Sequence, residues 1–132
     1  MLLGIGESSD AYHMSSPHPE GRGARAAMLQ ALATAGLRAS DIDYINLHGT
    51  GTPSNDNAEA RAVAAVLGSE VPGSSTKGAT GHALVAAGGL EAVICALALQ
   101  HGFMPAGLNT TAVYPTLGVN YLLENLRAKV AR

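Results

Sequence analysis

A chain of 132 residues, 47% hydrophobic and 14% charged, is long enough for one domain with a real core and too short for two ordinary ones. A formal charge of −2 and the lack of a Lys/Arg cluster exclude the electrostatic footprint of a nucleic-acid or anionic-membrane binder. So few charges imply apolar faces that need cover from something else, while the single cysteine, Cys95, excludes an internal disulfide framework and points to a reducing, cytosolic compartment.

Leu2–Gly6 is too short and uncharged for a signal peptide and reads as a strand. Residues 22–35 read as a helix with Ala26, Leu29, Leu32 and Ala33 inward, ended by Gly36. Alternation over 41–47 predicts a strand. Asn57–Leu67 then reads as a helix with Ala60, Val63, Ala64 and Leu67 inward, closed by Gly68. After a Val71–Thr76 strand come a Gly78–Gly81 loop and a helix from His82 to Gln100, stopped by Gly102 and Pro105. Its apolar run, Ala83–Leu99, approaches membrane-span length but contains Gly88, Gly89 and Glu91, which predicts a helix enclosed in protein and no membrane span. Val119–Leu123 is the last strand candidate. The order β-α-β-α-β-α-β predicts one α/β unit over residues 1–132.

Two segments place polar residues among glycines where strands should end: His48-Gly49-Thr50-Gly51-Thr52-Pro53 and Lys77-Gly78-Ala79-Thr80-Gly81-His82. Open α/β sheets collect ligands outside the carboxyl ends of their strands, so both loops are candidate site loops. Cys95 lies among Val93, Ile94, Ala96 and Leu97 without the basic neighbours that stabilise a thiolate, and reads as core. His18 and His101 read as surface residues. Ser74-Ser75-Thr76-Lys77 has the S-x-x-K spacing of penicillin-binding enzymes, but its companion motifs are missing and the segment reads as a strand. His48, His82 and Cys95 lack the paired spacings of a zinc site, so no metal is expected.

Asn46-Leu47-His48-Gly49-Thr50-Gly51-Thr52-Pro53, Asp56, Glu59 and Lys77-Gly78-Ala79-Thr80-Gly81-His82 together resemble the C-terminal half of β-ketoacyl-acyl-carrier-protein synthases of fatty-acid and polyketide synthesis. The likeness extends to Ser9–Met14, Gly88-Gly89-Leu90-Glu91-Ala92 and Leu122-Leu123-Glu124-Asn125. It implies an α/β thiolase-like fold, of which this chain is one α/β half of the layered αβαβα arrangement, incomplete at its C-terminal end. It also implies a homodimeric complete enzyme that condenses acyl groups with malonyl-acyl carrier protein by decarboxylative Claisen chemistry. No intrinsic cofactor is implied; the phosphopantetheine arm belongs to the acyl carrier protein.

Carried over by position, the resemblance makes His48 and His82 the donors to the malonyl thioester oxygen, where the charge of decarboxylation collects. Opening a helix, His82 would be kept neutral by the positive end of the helix dipole. Lys77 and Glu59 resemble the family's charged pair beneath the histidines. Thr50 and Thr52 resemble the hydroxyls that line the phosphopantetheine tunnel, and Asp10 and His13 a mobile loop near the acyl pocket, hence gating candidates. Two departures stand out: the family's nucleophilic cysteine belongs to an N-terminal half that this sequence does not contain, and Arg132 precedes the family's closing strand hairpin and Gly/Phe-rich loop. The chain alone is therefore expected to be inactive, with that N-terminal half and acyl carrier protein as partners. The alternative is a non-catalytic interaction subunit or a truncated gene product that binds a complementary half.

Overall fold

A computed structural model describes residues 1–128. Its centre is a three-stranded parallel sheet of β1 (Ile45–Asn46), β2 (Pro72–Ser74) and β4 (Asn120–Tyr121), with β2 in the middle. Ile45 aligns with Gly73 and Asn46 with Ser74 on one side of β2, and Pro72 with Asn120 and Gly73 with Tyr121 on the other. A backbone bond from Leu47 N–H to the Ser74 carbonyl (2.8 Å) and one from Leu122 N–H to the Gly73 carbonyl (2.9 Å) carry the pairing just beyond the ladder. An antiparallel pair not foreseen from the pattern, β3 (Phe103–Met104) with β5 (Leu126–Arg127), stands beside it.

Helix α1 (Arg22–Ala35) packs on α2 (Pro53–Leu67), while α3 (Lys77–Thr80) is a single turn and α4 (Ala87–His101) follows a 3₁₀ turn at Leu84–Ala86. α2 starts four residues earlier than expected because Pro53 takes the first helical position, where its missing N–H costs nothing, and Thr52 is the extended residue before it. Its buried residues are Ala58, Ala60, Ala62 and Val63; Ala64 is exposed, contrary to the expected stripe. The Ala58–Ala62 row lies beneath Gly21 at the entry to α1, and Ala60 and Val63 lie on the other side, so small side chains let two neighbours approach the helix closely.

Three further expectations are corrected. Leu2–Gly6 forms no strand among the described residues: it runs along α1, with Ile5 N–H donating to Thr34 Oγ1 (3.2 Å) and Glu7 N–H to Gln30 Oε1 (2.8 Å). That contact turns Ala27 and Ala31 inward and leaves Ala26, Leu29 and Ala33 exposed, reversing most of the predicted α1 face. The predicted strands over 41–47 and 71–76 shorten to their paired residues, and 39–41 forms a 3₁₀ turn.

The apolar helix, expected to be enclosed in the complete protein and to expose a side in this half alone, is indeed open within this chain: only 11% of Leu84–His101 is buried, and Leu84, Val85, Leu90, Val93, Leu97 and Leu99 are all exposed. By length and composition alone that segment would cross a membrane, but Glu91 sits in its middle, ion-paired with Lys77 on a neighbouring turn. Contiguous exposed apolar surface drives association. The isolated chain is accordingly expected to form oligomers or precipitate in light-scattering measurements, and the paired substitution Val93→Lys and Leu97→Lys to restore a soluble monomer with the same circular dichroism. A wild-type chain that is monomeric at high concentration would contradict this reading of the helix.

Candidate functional site

The two candidate loops leave adjacent parallel strands at the same edge of the sheet. His48 follows β1 after Leu47, and Lys77 follows β2 after Ser75 and Thr76; α3 and Gly81 then bring the chain to His82. The imidazoles meet edge to face, with centroids 5.0 Å apart and planes at 87°. A cleft of about 390 Å³ opens beside them, lined among others by His82, Lys77, Glu59, Asp56, Thr50 and Tyr121.

The His82 ring has a defined tautomer. The chain reverses through Ala83 into the 3₁₀ turn, and Leu84 N–H donates to His82 Nδ1 at 3.0 Å. An Nδ1 that accepts carries no proton, so in the neutral ring the N–H is on Nε2, free to donate to a ligand. The expected helix start at His82 is displaced, since regular α-helix begins only at Ala87. Backbone donation, not the helix dipole, is what fixes this ring.

His48 presents Nδ1 toward Glu91 Oε1 at 4.0 Å. Burial pushes its pKa below the ordinary value of 6.5, and the neighbouring Lys77 charge and His82 push the same way, against the opposing carboxylates of Glu91 and Asp56. The ring is therefore held neutral near pH 7, and a neutral imidazole is a hydrogen-bond donor without being a fixed cation.

The charges beneath the rings are arranged differently from the sequence expectation. Lys77, its side chain only 8% exposed, ion-pairs with Glu91 of α4; Glu59 feels the Lys77 charge, which works against the burial-driven rise of its pKa, without a direct ion pair to it. Glu59 instead accepts two backbone bonds from the first loop, His48 N–H at 2.7 Å and Gly49 N–H at 2.8 Å. Burial raises its pKa above the usual 4.5, with those two bonds opposing, so the carboxylate is costly to bury and is compensated by the donors it ties down. The reason for the swap is position: α2 passes behind the His48 loop, whereas α4 passes beside the Lys77 turn. Glu91 is thus a site residue that sequence reasoning missed, although a lone carboxylate inside an apolar helix is itself a signal that a buried cation lies opposite.

The remaining candidates are dispersed. Thr50 lines the cleft and its hydroxyl lies 2.7 Å from that of Thr52, which is exposed. Asp10 accepts His18 N–H (2.9 Å) and Gly23 N–H (2.6 Å), bonds that lower its pKa and tie the N-terminal segment to the start of α1. His13 is exposed and accepts Ser15 N–H. Neither lines the cleft. His18 is half-buried and packs at a tilt of 59° against Tyr12, whereas His101 is exposed. Cys95 is half-buried, and burial pushes its thiol up, away from a nucleophilic thiolate. Among the described residues no cluster of three metal-binding side chains occurs.

Two outcomes test this geometry. In a double-mutant cycle on stability, Lys77→Ala and Glu91→Ala should be coupled by about 1 to 3 kcal/mol, and Lys77→Ala with Glu59→Ala by less; the reverse order would contradict the assigned pairs. Because the folded state holds His48 unprotonated while the unfolded chain takes up a proton at its ordinary value, stability should fall as pH drops through 6.5 and flatten below the depressed value. Thermal melts between about pH 7 and pH 5 should therefore show a shallower decline for His48→Gln than for wild type.

A family model described as the β-ketoacyl synthase C-terminal domain matches residues 1–111. Curated relatives include the mitochondrial 3-oxoacyl-[acyl-carrier-protein] synthase of Arabidopsis thaliana, 47% identical over 113 residues, covering 82% of this chain and 24% of that protein. The 3-oxoacyl-[acyl-carrier-protein] synthase 2 of a Synechocystis species is 39% identical over 132 residues, covering 98% of this chain and 32% of its own length. Among solved structures, the ketosynthase ApeO in complex with its chain length factor ApeC from Xenorhabdus doucetiae superposes with a TM-score of 0.91 at 47% identity, over 98% of this chain and 33% of the other. A type II polyketide ketosynthase in complex with its acyl-carrier protein, AntDE:AntF, superposes equally well, with a TM-score of 0.91 at 29% identity, over 98% of this chain and 33% of the other. The chain thus spans about a third or less of the length of these proteins.

Proposed function

Because the chain belongs to the β-ketoacyl synthase family as its C-terminal domain, with the thiolase-like α/β fold of these ketosynthases, we propose that it supplies the decarboxylation site of a synthase that extends acyl chains from malonyl-acyl carrier protein. The observation that carries the proposal is the edge-to-face His48–His82 pair, with His48 held neutral and the His82 Nδ1 occupied by a backbone N–H so that Nε2 is left to face a ligand.

Decarboxylation breaks the bond between the malonyl carboxylate and the central carbon, releases carbon dioxide and leaves an electron pair that delocalises onto the thioester oxygen. Preorganised N–H donors aimed at that oxygen stabilise the charge as it develops and need no reorganisation. His82 offers Nε2–H, and His48 serves as the second donor in the tautomer that carries its proton on Nε2. The Lys77–Glu91 pair beneath them is close to neutral as a unit, so it orients the turn without anchoring the malonyl carboxylate, which must leave. The resulting carbon nucleophile attacks an acyl thioester held on a cysteine of the remainder of the synthase, with expulsion of that thiolate. Cys95, half-buried with a raised pKa, does not serve in that role.

Thr50, which lines the cleft, and the exposed Thr52, its hydroxyl 2.7 Å away, would give an incoming phosphopantetheine arm hydrogen-bond partners without charge. Acyl carrier protein is the proposed bearer of that arm, a reading supported by the ketosynthase–carrier complex to which this chain is similar. A homodimer or ketosynthase-type heterodimer is the proposed assembly, and the exposed apolar face of α4 is the natural seat for the rest of the synthase. The same face supports the second reading, in which the chain acts only by binding a complementary half.

In the complete synthase, His48→Ala and His82→Ala should each lower malonyl-thioester decarboxylation by on the order of 10², the loss typical of one oxyanion donor. The rate of carbon dioxide release measures it. Unchanged release in both variants would leave only the binding role.

A further inference from the structure

The two histidines stand on separate loops, so something must hold those loops at one spacing. Glu59 anchors the first loop to α2 and Glu91 anchors Lys77 to α4, but neither contact joins one loop to the other. The segment Gly107–Thr110, which no sequence motif singled out, touches the second loop directly and reaches the first through two intervening residues. We propose that this strap is a positioning element that sets the His48–His82 geometry, acting on the second loop through Asn109 and on the first through Tyr121 and Ser75; the proposal rests on the decarboxylation reading above.

The strap is anchored to the sheet by Gly107 N–H, which donates to the Leu122 carbonyl just past β4 at 3.0 Å. Asn109 has a left-handed backbone (φ 60°), a conformation that asparagine tolerates better than most residues. Its side-chain Nδ2 donates to the Gly78 carbonyl at 2.8 Å, one residue after Lys77 and four before His82. Contact at this point is backbone against backbone: a Cβ on Gly78 would sit 1.9 Å from the Leu108 carbonyl oxygen. The strap therefore presses directly on the turn that delivers His82.

On the other side the connection is a hydroxyl relay. The Tyr121 hydroxyl accepts Ser75 N–H at 3.2 Å and lies 3.4 Å from Thr110 Oγ1. Ser75, only 6% exposed, donates its own hydroxyl to the Gly49 carbonyl at 2.8 Å, adjacent to His48. Tyrosine at 121 can reach Ser75 only because residue 107 has no side chain, since a Cβ there would lie 2.0 Å from the Tyr121 hydroxyl oxygen. Displacement of the strap thus reaches the second loop through one bond at 2.8 Å and the first through successive contacts at 3.4, 3.2 and 2.8 Å, and misplacing reacting groups by about 1 Å can cost 10²-fold in rate.

The test uses the complete synthase. Asn109→Gly keeps the backbone free to hold its left-handed turn while deleting the amide, and Tyr121→Phe deletes one hydroxyl. Each should lower kcat for decarboxylation by about tenfold to a hundredfold per folded molecule with KM little changed, and should shift the ¹⁵N resonances of the His48 and His82 rings. Asn109→Asp, which holds the turn but opposes an acceptor to the Gly78 carbonyl, should not rescue. If Asn109→Gly and Tyr121→Phe keep wild-type kcat and imidazole resonances while His82→Ala loses decarboxylation, the strap has no positioning role. A fall in rate that only tracks the folded fraction overturns it equally. If His82→Ala itself decarboxylates normally, the reading beneath the proposal fails instead.

Discussion

The carboxylate of Glu59, received by two consecutive backbone N–H groups, is the contact on which the site depends. A loop that must turn sharply after a buried strand has unpaired amides pointing inward, and unpaired buried amides are expensive. Glu59 satisfies those of His48 and Gly49 at once, with charge-assisted bonds stronger than neutral ones. The carboxylate bears a desolvation cost for it, visible in its raised pKa. That cost is tolerable only because α2 brings the residue to the loop rigidly, flanked by Ala58 and Ala60, whose small size lets the helix sit close to its neighbours.

Once the His48 loop is fixed in this way, the rest of the site is built against it. The Ser75 hydroxyl bridges the end of β2 to the Gly49 carbonyl, so the second loop is referenced to the first. Lys77, buried, requires a carboxylate, and Glu91 provides it from a helix that otherwise has almost no polar side chains. A charge at that point makes sense of α4 as well: a helix free to slide along an apolar surface gains a single registry point where the buried cation waits. His48 is left neutral by burial and neighbouring positive charge, and His82 is oriented by donation from its own following turn to Nδ1.

What the sequence made legible followed from chemistry that is local. Glycine-rich turns after strands announced where His48 and His82 would lie, and the parallel sheet brought them to one edge. Helix limits at Gly36, Gly68 and Gly102 were readable for the same reason. Matters decided by distant packing were not. Nothing in the pattern says which of two acids faces Lys77, because that depends on which helix passes which loop. Leu2–Gly6 has strand composition, but a strand exists only with a partner, and here a helix takes that place. The α1 stripe failed because the segment covering the helix was not known to lie on Ala27 and Ala31. Asn109 and Tyr121 carried no motif at all, since their roles arise from contacts 31 and 46 residues away in sequence.

The central claim is that the two rings share one developing oxyanion. A crystal structure of the complete synthase with a malonyl-thioester analogue that cannot lose its carboxylate tests it most directly. The analogue's thioester oxygen should lie about 3 Å from ring nitrogens of both His48 and His82, with His82 donating through Nε2 and Leu84 N–H still on Nδ1. An analogue bound with that oxygen on backbone amides or on Lys77, and the histidines turned elsewhere, would contradict it.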